Sequence, residues 1–343
     1  MHKFVAFLLI TYCLSCSKQS SSSFQMPISP IINKDTTFSL GADVSWVTEM
    51  ENSNIKFYDR SGNATDCIGI LKGLGMNSIR LRTWVNPTNG YCDLNDLIIK
   101  AKRANALGMR ILIDFHYSDS WADPGSQTKP AKWMNEDINV LQLSLYNYTT
   151  NVLNNLKSNG IQPSWIQLGN ETNDGMLWPE GKASVSMSNF ATLIKSGYKA
   201  VKDIFPEAKV VVHISNGYDN ILYRWIFDGL KSNGAKWDVI GMSLYPTASN
   251  WQILNNQCLL NMNDMLIRYD KEIMICEVGM AVSDSIASNL FLKDLISKVK
   301  GIKSNKGLGI FYWEPEAYNN WKGYKLGAFN NLGQPDAALI GLE

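Results

Sequence analysis

The apolar positions of the chain form short runs that alternate with longer stretches of helical spacing. In the longer stretches apolar residues recur at positions i, i+3 and i+4, as in an amphipathic helix; examples are residues 94–107, 140–156, 190–204 and 290–299. The eight short runs cover residues 38–43, 78–82, 110–116, 165–168, 210–213, 239–245, 273–276 and 309–313. The pattern therefore predicts eight strands separated by helices.

Several of the predicted strands are continuously apolar, which is expected when helices cover both faces of a parallel sheet. Eight strand–helix units in about 300 residues match the size of a single (β/α)8 TIM barrel of the α/β class. A doubly wound sheet is the alternative, but no Gly-rich phosphate loop follows the first strand. We therefore predict one barrel domain over residues 38–343, without an internal boundary.

Period-two alternation within the strands predicts which side chains face the barrel interior. Arg80 shares a face with Ser78 and Arg82, and Asp114 shares one with His116. In β-strand four the same rule aligns Gln167 with Glu171, provided that the pleat continues through Gly169. In later strands it aligns Ser243 with Tyr245 and Glu277 with Ile275. Trp313 would form the floor of the pocket. Polar side chains thus gather at the carboxyl ends of the strands, where TIM barrels hold their active sites.

Two of the apolar runs lead to a glutamate. The segment W-I-Q-L-G-N-E-T at 165–172 presents Asn170 and Glu171 together, and I-M-I-C-E at 273–277 ends on Glu277. A strand-end glutamate taken alone could simply accept backbone hydrogen bonds. Two of them, with arginine and histidine on neighbouring strands, favour an active site. Such a pair suits glycoside hydrolysis, in which one acid protonates the leaving oxygen and a carboxylate attacks or stabilises the anomeric carbon.

Composition narrows the classes of function. With 32 basic and 31 acidic residues the net charge is +1, which provides no field for nucleic acid or an anionic surface. Eleven Trp and 14 Tyr include flat faces suited to sugar rings as well as to core packing. Three His exclude a multi-His metal site, and Asp43, Asp114 and Asp119 lack the spacing of a calcium loop. We therefore expect neither a cofactor nor a metal.

Residues 1–16 have the organisation of an export signal. His2 and Lys3 precede an apolar stretch at 4–14 that is too short to span a bilayer, and Cys16 follows. This resembles a bacterial lipoprotein signal in which Cys16 would be lipidated; ordinary signal-peptidase cleavage is the alternative. Residues 17–37 indicate a flexible tether. We expect an exported bacterial protein, lipid-anchored at the cell envelope on the outer membrane or cell surface, and monomeric by default.

Four further cysteines match no metal motif. Cys276 lies inside an apolar strand and is interpreted as a buried thiol. An exported protein could pair Cys67 with Cys92, which the sequence does not decide, and Cys258 has no assigned role.

Five stretches resemble the arabinogalactan endo-β-1,4-galactanases, glycoside hydrolase family 53, within the larger clan of retaining (β/α)8 glycosidases. They are G-A-D-V-S-W at 41–46, R-L-R-T-W-V-N-P at 80–87, D-F-H-Y-S-D-S-W-A-D-P-G at 114–125, G-N-E-T at 169–172 and F-Y-W-E-P at 311–315. The resemblance runs from about residue 38 to the C-terminus. The long third-strand motif is its most specific part, since Asn-Glu alone is common to the whole clan.

The resemblance implies roles for the site residues. Glu171 would be the general acid/base, Glu277 the nucleophile, and Asn170 the partner of the sugar 2-hydroxyl. Arg80, His116 and Tyr245 would surround the nucleophile, Trp46, Trp84 and Trp313 would provide stacking faces, and Asp43 would complete the substrate-binding set. Some bacterial members bind calcium through an Asp-rich loop late in the barrel. Residues 280–285 contain no such cluster, so that site is expected to be absent.

The implied activity is endo-cleavage of β-1,4-galactan, the side chains of pectic arabinogalactan, with retention by double displacement. The polysaccharide would be the partner, and membrane contact would be through the Cys16 lipid alone. Two alternatives stay open. One is another β-glycanase of the clan, acting on mannan or glucan. The other is a surface glycan-binding lipoprotein without activity.

Overall fold

The computed structural model describes residues 1–2 and 37–342. The predicted signal with Cys16 and nearly all of the predicted tether lie outside these residues. Within the described residues, none of the helices combines the length and the hydropathy needed to cross a membrane.

Eight parallel strands close into a barrel in the order in which they occur in the chain. They are β1 Ser39–Asp43, β2 Ser78–Thr83, β3 Arg110–Phe115, β4 Trp165–Leu168, β5 Lys209–Ile214, β6 Val239–Leu244, β7 Glu272–Val278 and β8 Gly307–Trp313. Pairing of β1 with β8 completes the ring. The predicted TIM barrel is confirmed, and each predicted strand agrees with the observed one to within two residues.

Helices surround the barrel and follow the predicted spacing. They are α1 Val47–Asn52, α2 Cys67–Gly73, α3 Leu94–Ala106, α4 Ile138–Ser158, α5 Met187–Ile204, α6 Asn220–Ser232, α7 Trp251–Tyr269 and α8 Ser285–Lys300. Aspartate caps explain several starts: the Asp93 side chain accepts the backbone N–H of Asp96, and Asp137 accepts two backbone N–H groups of α4.

The core has two parts. A large cluster lies between strands and helices, and a smaller one fills the barrel interior; the inner cluster contains Leu112, Trp165, Val211, Val239, Met274, Cys276 and Phe311. Gly41 explains how the Phe311 ring fits inside, because a Cβ at this position would lie 2.5 Å from the ring. The packed interior leaves the polar residues at the carboxyl ends as the floor of an open mouth.

The cysteines do not form a disulfide among the described residues. Cys67, Cys92, Cys258 and Cys276 are all free and buried. The buried thiol expected at Cys276 is confirmed. The pairing of Cys67 with Cys92 that the sequence left open is not made.

A register shift in β7 corrects one prediction about side-chain direction. Ile275 packs in the outer cluster with the helices, so simple alternation would also turn Glu277 outward. Instead Met242 of β6 pairs with Ile275 and the next residue, Ser243, pairs with Glu277, which leaves Cys276 as an extra residue. Such a bulge re-aims the following side chain. The predicted alignment of Glu277 with Ile275 is therefore wrong, and the bulge delivers Glu277 to the mouth.

Candidate active site

Arg80 is the centre of the charged cluster at the barrel mouth. Its guanidinium is fully buried and lies 2.7 Å from Asp43 Oδ2, 2.8 Å from Asp114 Oδ2 and 2.9 Å from Glu277 Oε1. Burial opposes the charge on Arg80, but the carboxylates of Asp114, Glu277 and Asp43 outweigh it and raise the pKa of Arg80. Arg80 is therefore a permanent cation against one oxygen of Glu277.

Asp43 and His116 support this cation from either side. Asp43 was expected to bind substrate, but its side chain is fully buried beneath Arg80 and accepts the backbone N–H of Ser45. His116 Nδ1 accepts the Ala122 backbone N–H at 3.1 Å, so Nε2 donates to Asp114 at 3.0 Å. Burial acts against ionisation of Asp114, yet Arg80 and then His116 lower its pKa. His116 thus orients the partner of Arg80.

A turn after β4 presents Asn170 and Glu171. The strand ends at Leu168, and Gly169 follows with φ +83°, so the pleat does not continue as the alignment of Gln167 with Glu171 required. A side chain at position 169 would also collide with Thr172 at 2.5 Å. Glu171 itself has φ +43°, which is uncommon outside glycine and clusters at functional sites. The turn points both neighbouring side chains into the mouth.

Asn170 is held at both ends of its amide. Its Oδ1 accepts from Arg80 at 3.0 Å, and its Nδ2 donates to the Ala122 carbonyl at 2.8 Å. The amide is therefore fixed next to the charged cluster, where the sequence placed a hydroxyl-binding group.

The two glutamates have different partners. Glu277 Oε1 lies 2.9 Å from the Arg80 guanidinium in an ion pair, and its Oε2 accepts from the Tyr245 hydroxyl at 2.8 Å. Glu171 accepts on Oε1 from the Ser243 hydroxyl at 2.7 Å. One carboxylate is therefore held by a cation and a phenol, while the other has a neutral serine as its side-chain donor.

Burial raises the pKa of both carboxyls, and the charge of Glu171 raises that of Glu277 further. Two like charges in one buried site favour retention of a proton by the pair. The Arg80 cation beside Oε1 and the Tyr245 hydrogen bond to Oε2 both favour the charged form of Glu277, whereas Glu171 receives one hydrogen bond from a serine. The hydrogen-bond and ion-pair partners therefore favour the charge on Glu277 more than on Glu171.

Aromatic rings line one side of the mouth. Trp46, Trp121, Trp313 and Tyr324, with Lys322 and Gly323, surround a cavity of about 360 Å³. Trp46 is only 5 % exposed and Trp84 9 %, so the predicted stacking faces at these two positions are largely covered. Trp121, which was not among the predicted stacking residues, is 38 % exposed. Trp121 and Trp313 thus present the more accessible ring faces.

A second buried ionic group supports these rings. The Arg82 guanidinium lies 4.4 Å from the Trp121 ring centre and also approaches Trp46 and Trp84. Arg82 pairs with Glu314, and Glu314 accepts the backbone N–H of Trp46 at 3.1 Å. This arrangement fixes the tryptophans.

His213 and Ser243 were not predicted as site residues. His213 Nε2 lies 2.8 Å from Ser243 Oγ, and Ser243 donates to Glu171. His213 ends the apolar run V-V-V-H, two residues after the inward Val211. That polar end of an apolar strand was the available signal. Among residues 37–342, no three His, Cys, Asp or Glu side chains are grouped so that they could hold a metal ion.

Comparison with known proteins identifies the family. The profile of glycosyl hydrolase family 53 matches residues 39–339. An arabinogalactan endo-beta-1,4-galactanase of Thermothelomyces thermophilus is 35 % identical over 301 residues, covering 82 % of this chain and 90 % of that protein. A solved structure of a fungal beta-1,4-galactanase is 32 % identical with a TM-score of 0.82, covering 89 % of this chain and 98 % of that one.

A second solved structure, the GH53 catalytic domain of Ignisphaera aggregans, is 31 % identical with a TM-score of 0.80 and covers 91 % of this chain and 97 % of that one. Family profile, relatives and structures agree over almost the whole described barrel. The chain therefore belongs to glycosyl hydrolase family 53.

Proposed function

We propose that the protein is an endo-acting β-1,4-galactanase that cleaves arabinogalactan side chains with retention of configuration. The observation that carries the proposal is the pair Glu171 and Glu277, which share one mouth but have different hydrogen-bond partners. Membership of family 53 and relatives named as arabinogalactan endo-beta-1,4-galactanases support the choice of substrate.

In the first step the Glu277 carboxylate attacks the anomeric carbon while Glu171 gives its proton to the glycosidic oxygen. The bond to the leaving sugar breaks with its electron pair on that oxygen, and a glycosyl ester forms on Glu277. Arg80 and Tyr245 orient the attacking carboxylate, since Arg80 forms an ion pair with Oε1 and Tyr245 donates to Oε2. Asn170 lies beside Arg80 and is suited to bind the 2-hydroxyl.

In the second step Glu171, now ionised, takes a proton from water as the water attacks the anomeric carbon. The ester bond breaks, Glu277 regains its charge, and two inversions give net retention. In the ester Glu277 carries no charge. The like-charge repulsion that favours protonation of Glu171 has therefore gone, and the pKa of Glu171 falls. The change in Glu277 therefore helps Glu171 alternate between acid and base.

The aromatic wall supports binding of a sugar chain rather than a small polar molecule. The exposed face of Trp121 and the half-buried ring of Trp313 border an open cavity, and aromatic faces pack against the apolar faces of sugar rings. An open cleft admits the interior of a chain, as endo-cleavage requires.

The experiment is product analysis of wild type, Glu171→Ala and Glu277→Ala on linear β-1,4-galactan, with azide as an external nucleophile. We expect short oligosaccharides from wild type, an α-azide product from Glu277→Ala and a β-azide product from Glu171→Ala. Cleavage of mannan or glucan but not galactan would replace the substrate by that of another clan glycanase. Glycan binding without any hydrolysis by wild type would favour a non-catalytic lipoprotein instead.

We also propose export and attachment of the protein to the bacterial envelope through a lipid on Cys16, as a monomer. The apolar stretch at 4–14 followed by Cys16 supports this. Labelled palmitate should enter wild type and Cys13→Ser but not Cys16→Ser. If none of the three proteins incorporates the label, ordinary signal-peptidase cleavage would be favoured instead. Light scattering of the soluble barrel would measure its molar mass and so test whether it is a monomer.

A further inference from the structure

We infer that Ser243, oriented by His213, fixes the acid proton of Glu171 on Oε2, the carboxyl oxygen that Ser243 leaves free. The inference rests on the proposed function, because it concerns the residue that protonates the leaving group. Ser243 and His213 are positioning residues here, and neither needs to contact the sugar.

The two residues lie on adjacent strands beneath Glu171. His213 of β5 pairs with Gly241 of β6, and Ser243 stands two residues further toward the mouth. Ser243 Oγ is 2.7 Å from Glu171 Oε1 and 2.8 Å from His213 Nε2. His213 is fully buried and Ser243 is 1 % exposed. The serine hydroxyl is therefore shared between an imidazole and the carboxyl of the acid.

The surroundings of the other ring nitrogen determine the direction of these bonds. His213 Nδ1 lies 3.1 Å from the Gln167 amide nitrogen and 3.4 Å from the Glu171 backbone N–H, and both of these groups are donors. Asn170 Oδ1 is 3.0 Å from the same nitrogen, but its two lone pairs are already used by Arg80 at 3.0 Å and the Gln167 amide at 3.3 Å. Nδ1 thus accepts, and the hydrogen of the neutral ring is on Nε2.

The ring is neutral because of its position. Burial and then the charge of Arg80 lower the pKa of His213 well below its ordinary value; Asp114 acts in the opposite direction and His116 adds to the lowering. A neutral imidazole with hydrogen on Nε2 donates to Ser243 Oγ. The single hydroxyl hydrogen of Ser243 is then directed to Glu171.

This direction decides where Glu171 carries its proton. Oε1 accepts from Ser243 both before and after proton transfer, so the transferable proton sits on Oε2. With hydrogen on Nδ1 instead, Ser243 would donate to His213, and Glu171 would place its proton on Oε1 against the serine. That proton would be engaged with the serine and unavailable to the leaving group, because Oε1 is the oxygen that is hydrogen-bonded to Ser243.

The first test measures the hydrogen on the ring directly. Long-range ¹⁵N–¹H spectra of the whole protein with labelled histidine separate the two neutral forms, and the chain has three His, so His213→Gln assigns the signal. Hydrogen on Nε2 supports the inference. Hydrogen on Nδ1 or a charged ring would overturn it, whatever substrate the enzyme cleaves.

The second test compares Ser243→Ala with Ser215→Ala. Ser215 is a matched control because it is also buried near the mouth, on the loop after β5, but its hydroxyl accepts from Asn173. We expect Ser243→Ala to lower kcat/KM on galactan about 10- to 100-fold, part of the full contribution of a general acid, and the control to change it by less than about 3-fold. Ser243→Thr, which keeps a hydroxyl, should recover most of the loss.

A leaving group that needs no proton separates positioning from structural damage. The pre-steady-state burst of dinitrophenolate from a dinitrophenyl β-galactobioside should be nearly equal in wild type and Ser243→Ala. An equal loss on both substrates would overturn the inference. Failure of wild type to cleave galactan would instead overturn the proposed function and leave the ring measurement as the deciding result.

The pH profile provides a third measurement. Charged groups face Glu171 from four elements: Arg80, Asp114, Asp123 and Glu277. All are kept in Ser243→Ala, while the hydroxyl that lowers the pKa of Glu171 is removed. The alkaline limb of kcat/KM should therefore move to higher pH even though the rate at the optimum falls. An unchanged limb would contradict a contact with the acid.

Discussion

Replacing Arg80 by methionine tests whether the buried charge cluster is organised by this one side chain. Methionine keeps much of the volume but leaves Asp43, Asp114 and Glu277 without the cation that lies 2.7–2.9 Å from each. Removal of one partner of a buried ion pair costs about 3–5 kcal/mol. For a barrel of about 300 residues this lowers the melting temperature by about 5–8 °C near neutral pH.

The pH dependence of this loss has a definite sign. In wild type Arg80 lowers the pKa of Asp114 against the effect of burial, so this stabilisation is lost only as pH falls through the lowered pKa. In the variant the buried carboxyls lack a cation, and their folded pKa values rise above the unfolded ones. The free energy of unfolding of the variant therefore decreases as pH rises, and this decrease disappears in acid. The gap in melting temperature should therefore be largest near pH 8 and smallest near pH 4.

Scanning calorimetry of both proteins between pH 4 and 8 measures the gap. Arg224→Met is the control, because the Arg224 side chain is 44 % exposed and pairs with Asp264 at the surface. An exposed pair contributes under about 1 kcal/mol, so this control should shift melting by less than about 2 °C. A gap for Arg80→Met no larger than that of the control at pH 8, or one that does not narrow toward pH 4, would mean that Arg80 does not stabilise the buried carboxylates.

Three further predictions concern activity. Tyr245→Phe removes a donor to the Glu277 carboxylate, a bond worth about 1.5–3 kcal/mol, so steady-state kinetics should show kcat about 10- to 100-fold lower with little change in KM; a change confined to KM would contradict this. Glu171→Gln keeps a neutral group at the position where Glu171 holds the proton of the pair, so the acidic limb of labelling of Glu277 by a 2-fluoro-glycoside inactivator should stay where it is in wild type; a limb that moves to lower pH would mean that Glu171 is charged while Glu277 titrates. Trp121→Ala should raise KM for galactan about 10-fold with little effect on a short aryl glycoside, because it removes an exposed ring that rests on Arg82; equal losses on both substrates would place the ring at the reaction centre instead.

The strands could be predicted from the sequence because the signal for them is local. Each run is continuously apolar or alternates with period two; Glu277 follows its apolar run directly, and Glu171 stands three residues after Leu168. Strand-end position alone brings Glu171 and Glu277 to one face of any parallel barrel. The fold and the two acids therefore required no knowledge of distant contacts.

Side-chain direction was less predictable where the backbone departs from a regular pleat. The extra residue Cys276 in β7 turns Glu277 inward, and the φ +83° at Gly169 interrupts the alternation before Glu171. Neither feature has a periodic signature, since a bulge depends on how β7 pairs with β6. Period-two counting reached the correct residues but assigned them the wrong neighbours.

The order of residues along the chain is enough to predict the eight-stranded barrel, the mouth on which polar side chains converge and the two carboxyls within it. The groups that each carboxyl contacts could be read only from the folded barrel: Arg80 and Tyr245 for Glu277, and Ser243 with His213 behind it for Glu171. The difference arises from how far apart in the sequence the interacting residues are. Burial patterns repeat over residues that are neighbours along the chain. The hydrogen-bond and ion-pair partners of the two acids are up to about 200 positions away, and strand register decides which of them meet. Those partners set the charge on each acid.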